Sequence, residues 1–162
     1  MFLETIYYKS PIGILEIIGG DGGIEQITYI DDDNFSISNA KIVTKELNKC
    51  IVQLDEYFAG NRKEFKLKLN PQGTNFQKKV WKALLRVSFN TTKSYLQQSK
   101  VVGDVKAIRA VGTANGKNPI SIIIPCHRII GSDGSLTGYA GGIWRKKWLL
   151  EHESGYKQGS LF

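Results

Sequence analysis

Three short apolar stretches, one long amphipathic stretch and a series of shorter helical patterns divide the 162 residues. Phe2 to Tyr8, Ile12 to Ile18 and Ile24 to Ile30 are rich in β-branched and aromatic residues, and Gly19-Gly20-Asp21-Gly22-Gly23 separates the last two. They predict strands joined by turns. Val43, Leu47, Cys50, Ile51, Leu54 and Phe58 then recur at helical spacing, which predicts a helix from about Ser38 to Ala59 with Gly60 as its stop. Cys50 is explained as a packing residue on that helix's apolar face. Lys66 to Gly73, with Pro71 and Gly73, reads as a linker, so the division is a small α+β domain at 1–70 and a second domain at 71–162.

The second domain is predominantly helical in pattern. Thr74-Asn75-Phe76-Gln77 has capping-box spacing, and Phe76, Val80, Ala83, Leu84 and Val87 fall along one helix face. Two shorter helices follow, about Ser94 to Val101 and about Val105 to Ala114, with Gly103 at the turn. That is helix-turn-helix spacing, although any short helical hairpin shares it. The nearly continuous run Ile120-Ser121-Ile122-Ile123-Ile124 predicts a buried strand ended by Pro125. A last helix is predicted from about Gly142 to Glu153, with Ile143, Lys146, Leu150 and Glu153 on one stripe. Charges on an apolar stripe are either paired in the interior or snorkel at its border. The fold class is α+β.

Candidate chemistry concentrates at Cys126-His127-Arg128. A free Cys often only packs, but an imidazole and a guanidinium beside it are groups an inert core seldom admits, and two cations would favour the thiolate. In extended backbone Cys126 and His127 point to opposite faces, so a water would have to bridge thiol and imidazole. Glu153 is the available carboxylate to orient His127. Trp144 and Trp148 are expected to pack or cover a rim. With only Cys50, Cys126, His127 and His152, no tetrahedral zinc set is expected within one chain.

Charge adds a partner class. The net charge of +7 divides into 8 basic against 11 acidic residues over 1–70 and 14 against 4 over 71–162, that is −3 and +10. The second half thus carries the polyanion-binding signal. Ala107, Ala110, Gly112 and Ala114 would let a backbone approach a duplex closely with Arg109 as the inserted side chain, or would simply pack against a neighbouring helix. No apolar run long enough to cross a bilayer is present, and dependence on a free thiol fits a reducing, cytoplasmic setting; the protein is expected to be a monomer.

Taken in order, the blocks Arg109-Ala110-Val111-Gly112, Gly116-Lys117-Asn118-Pro119, Ile124-Pro125-Cys126-His127-Arg128-Ile129-Ile130, Gly138-Tyr139-Ala140-Gly141-Gly142 and Leu149-Leu150-Glu151-His152-Glu153 resemble the methylated-DNA–protein-cysteine methyltransferases. Ser10-Pro11-Ile12-Gly13 and Leu54-Asp55-Glu56-Tyr57-Phe58-Ala59-Gly60 extend the likeness to the first half. The resemblance implies a ribonuclease H-like N-terminal domain, a DNA-binding helix-turn-helix, no cofactor, and repair of duplex DNA containing O6-alkylguanine by a single irreversible transfer. It implies Cys126 as alkyl acceptor, His127 as its water-mediated base, Glu153 orienting that histidine, Asn118 bracing the loop and Tyr95 donating a proton to the departing guanine. Tyr139, Ala140 and the backbone at Ile129 would line the base pocket, with Lys146 supporting it. Arg109, with Ala110 and Gly112, would fill the space left by the extruded nucleotide, and Arg128 is a further cation assigned to DNA. The chain departs from the family's usual Ile-Pro-Tyr-Gly-Glu-Thr at Val87-Ser88-Phe89-Asn90-Thr91-Thr92, which predicts a looser loop. It also carries Gln98 and Ser99 where an apolar residue and alanine are usual, which predicts a weaker internal helix face. A damage-binding module that transfers nothing and a cysteine hydrolase are the competing readings. The presence of Cys126 argues against the first, and its adjacency to His127 against the second.

Overall fold

A computed structural model describes residues 2–38 and 44–155. The chain forms two compact units, 1–72 and 73–162. In the first, β1 (Leu3–Ser10), β2 (Gly13–Gly20) and β3 (Gly23–Ile30) make an antiparallel sheet in that order, with a register shift at Ile18/Gly19. Ile6 stands opposite Ile17, and Ile17 opposite Ile27, so one row of buried side chains crosses all three strands. Helix α1 (Lys45–Phe58) buries Leu47, Cys50, Leu54 and Tyr57 on this unit. Each such aliphatic side chain removed from water contributes about 1.5–3 kcal/mol.

Two expectations change here. Helix α1 begins at Lys45 because Thr44 has extended backbone (φ −67°, ψ 121°) and gives its N–H to the Glu4 carboxylate. Ser38 is outside the helix, and residues 39–43 of the predicted span lie outside the described residues. The stop at Gly60 does form, with φ 83°, the Gly60 N–H on the Tyr57 carbonyl and the Asn61 N–H on the Glu56 carbonyl. The supposed linker is partly structural: Ile24 N–H donates to Lys68 O at 2.8 Å and Asn70 N–H to Ile24 O at 2.7 Å, a short parallel bridge on β3. Gly23 permits it, since a Cβ there would stand 2.5 Å from Lys68 O.

In the second unit, α2 (Asn75–Leu84) starts in the full capping box, Thr74 Oγ1 accepting from Gln77 N–H and Gln77 Oε1 from Thr74 N–H. Its buried face is Val80, Trp81 and Leu84; Phe76 is 38% exposed, so the predicted stripe is rotated toward Trp81. The indole Nε1–H donates to Ala114 O at 2.8 Å and fixes where α2 crosses the later helices. The two-residue strand β4 (Lys93–Ser94) leads into α3 (Tyr95–Val102), capped by Ser94 and Gln97 and ended by Gly103 at φ 109°. Asp104 then accepts from Lys106 N–H, and Val105–Ala107 form a 3₁₀ turn before α4 (Ile108–Gly116). The hairpin is the helix-turn-helix, its second helix starting three residues later than its sequence pattern predicts.

The apolar run 120–124 is not a strand. Residues 121–123 form a buried turn in which Ile122 has φ 74° and Ile124 N–H bonds to Ile120 O at 3.0 Å. Cys126–Arg128 is a 3₁₀ turn, followed by β5 (Ile129–Ile130), which pairs in parallel with β4. Helix α5 (Ile143–Ser154) closes the unit with Arg145, Lys146, Leu149, Leu150 and Glu153 buried and Ile143 exposed. Trp144 is exposed beside the Arg145 guanidinium, and Trp148 stacks on His152.

Candidate active site

The turn that carries Cys126 is held from one side chain. Asn118 Oδ1 accepts from Ile120 N–H at 3.0 Å, while its Nδ2 donates to Ile124 O at 2.7 Å and to Cys126 Sγ at 3.3 Å. One amide therefore supplies the backbone bonds that a ladder would otherwise supply and touches the thiol as well. Cys126 itself is 9% exposed. Burial pushes its pKa up, against the opposing pull of the Asn118 N–H and the Lys146 charge. These two groups, not His127 and Arg128, are what favour the thiolate.

His127 is buried with Nε2 2.8 Å from Glu153 Oε2. Burial holds its pKa below 6.5, outweighing the Glu153 charge, so the ring is neutral. A carboxylate can only accept, which places the ring proton on Nε2 and leaves Nδ1 with a lone pair. That Nδ1 is buried and meets no donor or acceptor among the described residues. Arg128 also binds Glu153, through Nε to Oε1 at 2.8 Å and Nη2 to Oε2 at 3.0 Å, and it donates to Val87 O at 2.7 Å. Burial alone would raise the Glu153 pKa; His127 and Arg128 reverse this and hold it well below the carboxylate range. Arg128 is only 6% exposed, so its assignment to DNA is corrected: its charge is spent on Glu153.

The Val87–Thr92 loop is tied down by the same guanidinium, which donates to Val87 O and lies over the Phe89 ring. Asn90 takes a left-handed conformation at φ 59°, where the family usually has glycine, and asparagine is the side chain that tolerates this best. Thr91 bonds Ser88 O through both its N–H and its hydroxyl. The loop's lost proline and glycine are thus replaced by specific bonds.

A cleft of about 210 Å³ opens beside Cys126, with Tyr95 from α3, Gly112, Asn115 and Gly116 from α4, and Gly138, Tyr139 and Ala140 as its other walls. Lys146 is fully buried and holds the last of these, its Nζ donating to Thr137 O at 2.8 Å and Gly138 O at 3.2 Å. Burial pushes its pKa down to about 8, against the pull of Cys126. Tyr95 also donates its hydroxyl to Thr137 O, at 2.9 Å, with the Lys146 ammonium 5.8 Å from its ring. Ile129 is buried in the β4–β5 pair and does not line the cleft.

Comparison with known proteins gives this geometry a lineage. The sequence pattern of the domain described as "6-O-methylguanine DNA methyltransferase, DNA binding domain" matches residues 75–155, and that of "6-O-methylguanine DNA methyltransferase, ribonuclease-like domain" matches residues 4–71. The chain belongs to the 6-O-methylguanine DNA methyltransferase family. The methylated-DNA–protein-cysteine methyltransferase of Mycobacterium bovis is 55% identical over 153 residues, 91% of this chain and 92% of that protein. That of Methanosarcina barkeri is 43% identical over 155 residues, 94% and 97% of the two chains. The crystal structure of Mycobacterium tuberculosis OGT in complex with DNA is similar at a TM-score of 0.81 and 42% identity, covering 93% and 92%.

In this methyltransferase the prospective DNA-facing residues lie on α4. Arg109 and Ala110 are exposed and Gly112 is half-buried, whereas Ala114 faces inward and receives the Trp81 bond. The structure therefore brings Cys126, His127, Glu153, Asn118 and Lys146 together, and sets Tyr95, Tyr139 and Ala140 around the adjoining cleft. Four participants were missed from sequence: the Thr137 carbonyl, Gly138, Asn115 and Gly116. Only Asn115 gave a readable signal, as the one large polar side chain among the small residues closing α4.

Proposed function

We propose that this methyltransferase repairs DNA by direct reversal, moving an alkyl group from O6 of guanine in duplex DNA to Cys126, once per molecule. The observation that carries the proposal is a thiol at the wall of a base-sized cleft, bonded by Asn118 and adjoining a neutral His127 that Glu153 orients. The target oxygen is hidden in the base stack, so the nucleotide must turn outward, at about a few kcal/mol. Contacts from the basic second unit to phosphates offset that cost. Arg109, with Ala110 and Gly112, occupies the gap in the duplex.

The thiol proton passes through a water to His127 Nδ1, and Glu153 stabilises the imidazolium. Sulfur then forms a bond to the alkyl carbon as the carbon–O6 bond breaks, and the electron pair stays on the guanine. A ring nitrogen of the guanine takes up a proton from Tyr95. For that the Tyr95 hydroxyl must leave the Thr137 carbonyl, which Lys146 continues to hold. The Tyr95 phenolate so formed regains a proton from water as the His127 imidazolium gives its proton up to water, so in net terms the thiol proton passes to the base. The product is a thioether with no acyl carbon for water to attack, so the protein is not regenerated. No helix among the described residues is long and apolar enough to cross a membrane, and both cysteines are free thiols. Dependence on the free Cys126 thiol suits a reducing, cytoplasmic compartment, and the protein is taken to act as a monomer.

Intact-mass measurement after exposure to excess O6-methylguanine duplex tests the proposal. One methyl group per chain is expected, and none on Cys126→Ser. Repeated turnover, or undiminished demethylation by the serine variant, would overturn it.

A further inference from the structure

Gln98 and Asn115 are buried amides that face each other across the helix-turn-helix. Gln98 Nε2 donates to Asn115 Oδ1 at 2.8 Å, and Asn115 Nδ2 donates to Gln98 Oε1 at 2.7 Å. Gln98 is on α3, three residues after Tyr95; Asn115 is on α4, three residues after Gly112. Asn115 lines the cleft together with Tyr95 and Gly112, and Gln98 does not. The pair therefore ties one cleft wall to the helix that carries another. On the same turn, Ser99 Oγ donates to Tyr95 O at 2.8 Å. Of the two polar residues that promised a weaker helix face, Gln98 is satisfied by Asn115 and Ser99 by the backbone of its own helix.

We propose that Gln98 is a positioning residue that keeps the Asn115 amide turned away from the cleft and thereby sets how large an alkyl group the cleft admits. This rests on the reading of the cleft as the site of the alkylated base. An amide in a two-bond cycle has a fixed plane, because rotation breaks both bonds at once. With Gln98's amide gone, Asn115 keeps a buried donor and acceptor without partners, a costly state that it relieves by turning toward the cleft. A wall so narrowed still leaves room for a methyl group. It obstructs a benzyl group, whose ring needs the space that the pair keeps open.

The test is single-turnover transfer by the full-length protein from duplexes carrying O6-methylguanine or O6-benzylguanine, with melting temperatures measured alongside. Gln98→Leu is expected to lower the benzyl-to-methyl rate ratio about fivefold, equivalent to ~1 kcal/mol at 25 °C. Asn115→Ala in that background is expected to return the ratio to within about twofold of the parent, since no amide is left to turn. Gln98→Glu, which can accept from Asn115 Nδ2 but not donate to its Oδ1 when ionised, gives an intermediate ratio and serves if the leucine variant does not fold. A lower melting temperature with an unchanged ratio would show a merely structural role and overturn the proposal. So would a ratio that stays low in the double variant. A parent protein that accepts neither alkyl group would instead overturn the underlying reading of the cleft.

Discussion

His127 and Arg128 hold Glu153 with different demands, and the effects of Glu153 and His127 on stability separate along the pH scale. Its folded pKa is depressed, so the stability it contributes is complete above its ordinary value of 4.5 and is lost as pH falls below that. His127 is also depressed, from 6.5, but for the opposite reason: the fold keeps it neutral, so the unfolded chain takes up the extra proton below 6.5 and stability declines from there. Thermal melts across pH should show a first decline below about 6.5 and a steeper one below about 4.5. Glu153→Gln should cost about 3–5 kcal/mol near neutrality, since it leaves a buried guanidinium uncompensated, and should flatten the steeper limb. An equally steep limb in that variant would contradict this account. Lys146 gives the kinetic counterpart. Transfer should rise with pH through neutrality as thiolate forms, then level off above about 8 as Lys146 loses its charge. In Lys146→Met the rate should be lower, by about tenfold for a 1.4 kcal/mol loss of thiolate stabilisation, and the levelling near pH 8 should disappear. At this scale the sequence was most legible where chemistry and helix phase agree: Glu153 lies on the buried stripe of α5 and does reach His127. Arg128 was misread because a guanidinium beside a thiol looks the same in sequence whether it faces phosphate or a carboxylate twenty-five residues away.

Apolar periodicity identifies burial better than conformation, and residues 120–124 show why. A run of β-branched side chains satisfies a buried strand and a buried turn equally well; what decides is where the backbone groups find partners. Here Asn118 supplies them, and the chain can turn sharply enough to aim Cys126 at the cleft. The turn forces Ile122 to φ 74°, a conformation costing a β-branched residue about 1–3 kcal/mol. Its side chain, only 1% exposed, offsets that by packing. Ordinarily a buried Ile→Gly change is worse than Ile→Ala. At position 122 the order should invert or vanish in denaturant melts, because glycine alone relieves the strain. If Ile122→Gly is less stable than Ile122→Ala by about 1 kcal/mol, the usual penalty, the turn is not strained. The helices were more legible. The Thr74 and Gln77 box and Gly103 punctuate the chain through local bonds that need no tertiary context, whereas the rotation of α2 toward Trp81 depends on the distant Ala114 carbonyl.

Over the whole chain, charge is apportioned by unit: the acidic balance of residues 1–70 and the excess of ten basic charges in 71–162 place nearly all attraction for a polyanion on the unit that carries the cleft. Much of this second-unit charge is exposed, with Lys100, Lys106, Arg109 and Lys117 on or beside α3 and α4. The charges at the thiol are instead buried: Arg128 and Lys146 are committed to Glu153 and to the Thr137 carbonyl. Salt reaches the first group and not the second. Binding of undamaged duplex should therefore weaken steeply with salt; neutralising about five phosphates gives a log–log slope near −4.5, or roughly 500-fold between about 50 and 200 mM. The single-turnover transfer rate at saturating alkylated duplex should change by less than about twofold over the same range, since the reacting atoms sit in a protein interior that counterions do not screen. Measuring both quantities on one preparation separates the two roles of positive charge. A saturated rate that fell in parallel with affinity would mean that exposed cations, rather than Asn118 and Lys146, stabilise the thiolate.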